Sequence, residues 1–352
     1  MNNINSITKK YLGGIILSSA IATVSLVIAQ INWLQNHAIG ALTLAILIGI
    51  LVGNTFYPKI AENSAHGVLF AKQRLLQLGI IFYGFELTFG DIVHVGLQGA
   101  VIDAMVLTST FAIAWVVGRK VFKLDANTVI LIGAGSSICG AAAVMATEPV
   151  VKGRAEQVSV AVSTVLVFGT ISMLLYPILF QWNLYWHFLP TSAEAFGIFA
   201  GSTVHEVAQV VAAAKPLGDT ATNTAVITKM VRVMMLAPFL AILSIYVAKN
   251  KTTEHLATAQ KSKITIPWFA LIFVLVAGLN SLHIIPKNIV AGAINVDTLF
   301  LAMAMAALGL STHFSSIKKA GLKPLLLGAI LFSWLIIGGS FINSSIMNLL
   351  AN

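Results

Sequence analysis

One cysteine, Cys139, stands in 352 residues, so no internal disulfide can form, and no Cys/His spacing matches a structural zinc site. Charge is equally scarce: Asp, Glu, Lys and Arg make up 9% of the chain, against roughly a quarter in soluble domains. No Walker motif is present, which argues against ATP-driven pumping by this chain. The run His205-Glu206-Val207-Ala208-Gln209 opens like a helical metalloprotease motif, but Gln209 stands where the second zinc-binding histidine must be. Gly135-Ser136-Ser137-Ile138-Cys139 lacks the closing glycine of a Gly-x-Ser-x-Gly nucleophile elbow. The chain therefore reads as a non-enzyme without a cofactor or a metal.

What fills the sequence is apolar: 58% of residues are hydrophobic, with a mean hydropathy of +0.91. Eleven apolar segments follow one another, at 12–30, 39–57, 70–90, 96–118, 127–147, 157–180, 194–214, 225–248, 266–284, 296–315 and 321–346. About 20 residues at 1.5 Å each cover a hydrocarbon core of about 30 Å. The expectation is one all-α, multi-pass domain in a bacterial inner membrane, with the lipid bilayer as its main partner. The first segment, within 1–38, is an extra helix rather than a signal peptide, because no small-x-small cleavage site follows it. The net charge of +9 sits in short clusters between segments, which suits topology and not nucleic acid. Lys9 and Lys10 place the N-terminus in the cytoplasm, and so does the polar stretch 249–265, with Lys249, Lys251, Lys261 and Lys263, for that loop. Trp182, Tyr185 and Trp186 suit the opposite interface.

Two internal similarities organise the chain. Gly53, Gly84 and Gly96 recur as Gly278, Gly309 and Gly321, at an offset of 225, and Gly135-Ser136-Ser137-Ile138 recurs as Gly201-Ser202-Thr203-Val204, at an offset of 66. Two related halves, 39–180 and 194–346, follow from this, as in transporters built of inverted repeats. Segments two and nine are an odd number apart and segments five and seven an even number apart. That parity is consistent with opposite orientation of both pairs only if five and seven are re-entrant hairpins.

The small residues of Gly135, Ser136, Ser137 and Gly140, and of Gly201, Ser202 and Thr203, free the backbone to break a helix. Unpaired amides at a half-helix N-terminus then suit an anion; close helix packing is the alternative use of such residues. Charges at membrane depth are costly and mark function or a locked pair. His205 and Glu206 are thus candidates for the coupling ion, whether proton or sodium, and Gln209 for a substrate hydrogen bond. Asn223, Lys229 and Arg232 in segment eight complete the candidate anion site, unless the two cations lie at the interface and snorkel. Glu86, Asp103 and His313 are weaker candidates.

On the runs Leu78-Gly79-Ile80, Gly135 to Ala143, His205 to Ala213 and Met305 to Leu310, the sequence resembles the YeiH-type family of bacterial inner-membrane proteins, which carry a sulfate-exporter designation. The family pattern has arginine where Glu86 stands, which implies no family-wide role for Glu86. Gly135 to Thr164 followed by Pro177 is more distantly similar to the crossing region of bile-acid/sodium symporters. That second resemblance implies broken helices that cross fully, and panel and core domains that slide past each other. The expected function is secondary transport of a small anion, sulfate or an organic sulfonate first, coupled to protons or sodium. The rivals are a sodium/proton antiporter and a ligand-binding sensor or assembly subunit without flux. A homo-oligomer is compatible with all three.

Overall fold

The computed structural model describes residues 2–31, 33–34, 40–250, 268–313, 315 and 320–350, and every regular element among them is helical. Backbone amides at membrane depth must pair internally, and for apolar segments joined by short links helices satisfy this. The helices are α1 (Asn2–Ile28), α2 (Ala41–Thr55), α3 (Tyr57–Phe70), α4 (Leu76–Tyr83), α5 (Phe89–Val116), α6 (Ala126–Ser137), α7 (Ala141–Val151) and α8 (Ala155–Trp186). They continue as α9 (Ala193–Thr203), α10 (Val207–Ala214), α11 (Asp219–Met234), α12 (Leu236–Asn250), α13 (Trp268–Ser281), α14 (Lys287–Leu310) and α15 (Leu322–Leu350). Each of the eleven apolar segments coincides with a helix or a helix pair. The expected cytoplasmic stretch 249–265 lies, beyond Asn250, outside the described residues. Among the described residues, six helical stretches are long and apolar enough to cross a membrane: Tyr11–Ile28, Gln98–Val121, Ala155–Trp186, Asp219–Val247, Lys287–Leu310 and Leu322–Leu349. A π-helical turn, Ala71–Leu75, joins α3 to α4, and the chain turns by 99° between Tyr57–Glu86 and Phe89–Gly96.

Segments five and seven are re-entrant hairpins rather than the full crossings that the symporter resemblance implies. A straight passage from Ala126 to Val151 would separate its ends by about 37 Å at 1.5 Å per residue, and six further residues to Gln157 could recover at most about 20 Å. Yet Gln157 Nε2 donates to Asp125 Oδ1 at 2.7 Å, and Asp125 is the N-cap of α6, accepting from Thr128 N at 3.0 Å. A Cβ placed on Gly153 would meet Leu131 Cδ1 at 3.1 Å. Chain entering with α6 therefore returns with α7 to the same face, here termed the first face.

The second hairpin, α9–α10, is tied to the opposite face. Ser192 caps α9 by accepting from Ala195 N at 3.1 Å, and the following α11 runs parallel to α9. Cβ positions at Gly197 and Gly201 point at the Ala221 and Ala225 carbonyls, at 2.5 and 2.4 Å. Since α11 starts where α9 starts, the intervening α10 has come back. The starting ends of α5 and α9 share this second face, where His94 Nε2 meets Glu194 Oε1 at 3.3 Å.

The helices sort into two groups by contact. α1 to α4, α13 and α14 form one group, and α5 to α12 with α15 form the other. Contacts between the groups run through α10 against α2 and α14, and through α13 against α5 and α11. In the first group glycine permits backbone-to-backbone packing: a Cβ on Gly49 would stand 2.5 Å from Ala306 O, and one on Gly309 2.4 Å from Ile46 O. Gly84 packs on Phe273 and Val276 of α13 in the same way. Gly84 and Gly309 are thus used alike at their offset of 225, the first just after α4 and the second on α14.

Candidate functional site

Both hairpin tips end in the middle of the second group, and each tip is a short non-helical link. In the first tip Ile138 to Gly140 join α6 to α7, and Gly140 takes φ +68 and ψ −136, a conformation open to glycine and costly for any other residue. In the second tip Val204 to Glu206 join α9 to α10. The links present four helix termini to one another. The C-terminal ends of α6 and α9 expose carbonyls, and the N-terminal ends of α7 and α10 expose amides.

Two cations from one face of α11 fill the space between the carbonyls. Lys229 Nζ donates to Ile138 O at 2.8 Å and to Val204 O at 2.6 Å. Arg232 donates through Nε to Ser137 O at 2.8 Å, through Nη2 to Ser136 O at 3.2 Å, and through Nη1 to Ser202 O. Ile138 with Val204, and Ser136 with Ser202, are pairs at the 66-residue offset, so each cation bridges corresponding carbonyls of the two tips. Both side chains are fully buried. The alternative in which they lie at the interface and snorkel is therefore not adopted.

The amide ends are served differently. Glu206 Oε1 accepts from Ala141 N at 3.2 Å, so a carboxylate of the second tip sits at the N-terminus of α7. A Cβ on Gly140 would collide with Glu206 Cγ at 2.4 Å, which is why the tip needs glycine there. Gln209 Oε1 accepts from Glu206 N at 3.2 Å and caps α10. Among the described residues Gln209 Nε2 and His205 Nδ1 have no hydrogen-bond partner, although Gln209 is fully and His205 almost fully buried.

This geometry corrects one expectation. Ser136 and Ser202 stand at helix C-termini, where carbonyls repel an anion, and not at half-helix N-termini. The small residues precede each break, so the amide ends begin after it, at Gly140 and Glu206. Ser137 and Thr203 lie on the same carbonyl side, with Thr203 Oγ1 accepting from Tyr176 Oη at 2.7 Å and Ser202 Oγ accepting from Asn343 Nδ2 at 3.1 Å. Gly135 and Gly201 serve close packing, against Val144 and Val165 and against Ala225 and Thr228. Asn223 is remote from the tips, on the first turns of α11, where it accepts from Tyr83 Oη at 2.7 Å. Asp103 on α5 gains weight: it is fully buried, both carboxylate oxygens lack a partner among the described residues, and Arg232 and Lys229 lie within electrostatic range. Lys72, on the π-helical turn of the other helix group, lies within electrostatic range of Glu206. Nothing in the pattern around Lys72 marked it, because its significance depends on a contact between distant segments.

Helix termini and side chains nearly balance. Two C-termini contribute about −0.5 each and two N-termini about +0.5 each. Lys229 and Arg232 then offset Asp103 and Glu206, so the ionised cluster sums to about zero.

The architecture is that of a polytopic all-α membrane protein whose two re-entrant hairpins enter from opposite faces and meet tip to tip around two buried cations. Residues 13–328 match the family described as conserved hypothetical protein 698. A UPF0324 membrane protein of Pseudomonas aeruginosa is 58% identical over 334 residues, 95% of this chain and 94% of that protein. One of Yersinia pestis is 55% identical over 96% and 93% of the two chains. The UPF0324 inner membrane protein YeiH of Escherichia coli K12 is 53% identical over 97% and 96%. The chain belongs to this UPF0324, or YeiH-type, family. No solved structure matches it.

Proposed function

We propose that this chain is a secondary transporter of a small anion in the bacterial inner membrane, coupled to protons or sodium, and not an enzyme. The observation that carries the reading is the Glu206 carboxylate seated on the Ala141 amide at the α7 N-terminus. A helix N-terminus held open by glycine is an anion site by its dipole and free amides, and here a movable side-chain anion occupies it. Substrate replaces Glu206 there, and Lys72 across the group boundary supplies the added positive charge. Because the cluster sums to about zero, an entering anion is accommodated when Glu206 takes up a proton or a cation arrives with it. Lys229 and Arg232 are scaffold in this reading, since together they donate to five carbonyls of the two tips.

The first face gathers Arg119, Lys120, Lys123, Lys152, Arg154 and Lys323 around the mouth of the first hairpin, and the positive-inside rule makes it cytoplasmic. Sulfate and a short organic sulfonate are the first substrates to test, following the family designation. The experiment is counterflow of labelled sulfate into proteoliposomes. Uptake is expected with the wild type and a loss of proton dependence with Glu206→Gln; unchanged flux and unchanged pH dependence in Glu206→Gln would sink the assignment. Asp103, with no donor on either oxygen, favours a second reading as a sodium/proton antiporter. That reading requires sodium-driven pH changes in vesicles holding no permeant substrate anion.

A further inference from the structure

A second acidic centre lies away from the hairpin tips. Between the two helix groups, towards the second face, a cavity of about 130 Å³ is lined by Leu42 of α2, Tyr83 at the end of α4 and Glu86 after it, Val211 of α10 and Lys215 after it, and Asp297 of α14. At ~30 Å³ per molecule it has room for about four waters. Asp297 is 2% exposed, yet its Oδ1 has no hydrogen-bond partner among the described residues. The nearby donors are committed elsewhere: Tyr83 Oη donates to Asn223 Oδ1 at 2.7 Å, and Lys215 Nζ pairs with Asp219 Oδ1 at 3.1 Å.

A carboxylate buried to this extent, with one oxygen unpartnered among the described residues, costs far more ionised than neutral. Its surroundings add a like charge. The charged groups in electrostatic range of Asp297 are Glu86 and Lys215; α2 and α10 carry no charged side chain, and α1 carries charge only at Lys9 and Lys10. α3 and the π-helical turn also pack on α14, and their charged or titratable residues Lys59, Glu62, His66, Lys72 and Arg74 are not among the groups in that range. A metal ion would want more oxygen or nitrogen ligands, and no cluster of three or more His, Cys, Asp or Glu exists among the described residues.

We propose that Asp297 is a proton-binding site that exchanges with the second face through this cavity, with Glu86 as the adjoining carboxylate. A proton removes the buried charge and turns the unpartnered oxygen into a donor for cavity water. Because α14 belongs to one helix group and Val211 and Lys215 to the other, the protonated centre sits at the boundary between the groups. The proposal goes beyond the anion reading and stands without it.

The test is infrared difference spectroscopy of the purified full-length protein in nanodiscs, titrated from acidic to alkaline buffer with sodium or choline as the cation. The expected result is a buried-carboxyl C=O band that disappears as pH rises, is absent in Asp297→Asn, and is the same in sodium and choline. In Glu86→Gln, removal of the neighbouring charge shifts the midpoint of that band to lower pH by about one unit. A wild-type spectrum with no protonated carboxyl band at any pH overturns the proposal, and this holds even where Asp297→Asn does not fold. A band abolished by sodium at fixed pH overturns it in favour of a sodium site. A midpoint unmoved in Glu86→Gln removes Glu86 from it.

Discussion

Replacing Lys229 by methionine keeps the stem and deletes the ammonium that bridges Ile138 O and Val204 O. A hydrogen bond to a charged group contributes about 1.5–3 kcal/mol, so the two together represent about 3–6 kcal/mol. The loss is not shared with water, because both carbonyls and the whole side chain lie in the fully buried tip region. Two helix C-termini, each carrying about −0.5 charge, would then face Arg232 alone. At about 2 °C per kcal/mol for a large chain, the unfolding midpoint of the detergent-purified protein should fall by about 6–12 °C. Lys215→Met is the control: its ion pair with Asp219 is about half exposed, and such pairs contribute about 1 kcal/mol or less. Intrinsic fluorescence against temperature reads both variants. Equal midpoints for Lys229→Met and Lys215→Met would refute the view that Lys229 holds the tips together.

Other consequences are equally direct. Gly140→Ala forces a side chain into positive φ and onto Glu206 Cγ, so it should lower stability by about 1–3 kcal/mol from backbone strain alone. Adding Glu206→Ala should recover the clash but not the strain, as read by midpoints of the single and double variants. Gly309→Leu should separate α14 from α2 at the Ile46 and Gly49 contact and abolish a monodisperse elution profile, whereas Gly292→Leu, where a Cβ meets nothing within 4 Å, should not. Cysteines replacing Arg119 and Lys152 should be labelled by an impermeant maleimide from one side of the membrane and a cysteine replacing Lys215 from the other. Labelling of Arg119→Cys and Lys152→Cys from opposite sides would mean that segment five crosses. Glu206→Gln keeps an acceptor for Ala141 N, so its midpoint should stay within about 1 kcal/mol of the wild type while its response to pH changes.

Much of the architecture was legible because it follows from local chemistry. Apolar runs of Leu, Ile and Val can only be helices at membrane depth, and a Gly-Ser cluster repeated at an offset of 66 marks where two of them stop. His205 and Glu206 stood out because an ionisable residue inside such a run is expensive. The roles of Ser136 and Ser202 were not legible, since a break has both a carbonyl end and an amide end. Which end faces a ligand depends on what packs against each. Asp103 and Lys72, which lie within electrostatic range of the tip residues, come from other segments, and Asp297 sits in a segment whose pattern resembles any other crossing helix.

By itself the sequence determined that the chain is a multi-pass helical membrane protein, that Gly-Ser segments recur at two corresponding places, and that the ionisable pair His205 and Glu206 stands beside the second. Hydrophobic length and backbone hydrogen bonding require as much of any such chain. The tertiary structure alone decided that both broken segments turn back, because only the Asp125 to Gln157 contact and the parallel run of α9 and α11 report where their ends lie. It decided too that Lys229 and Arg232 neutralise helix C-termini while Glu206 occupies an N-terminus. Electrostatic roles of this kind are set by distances between residues tens to about a hundred positions apart, and no local pattern encodes them.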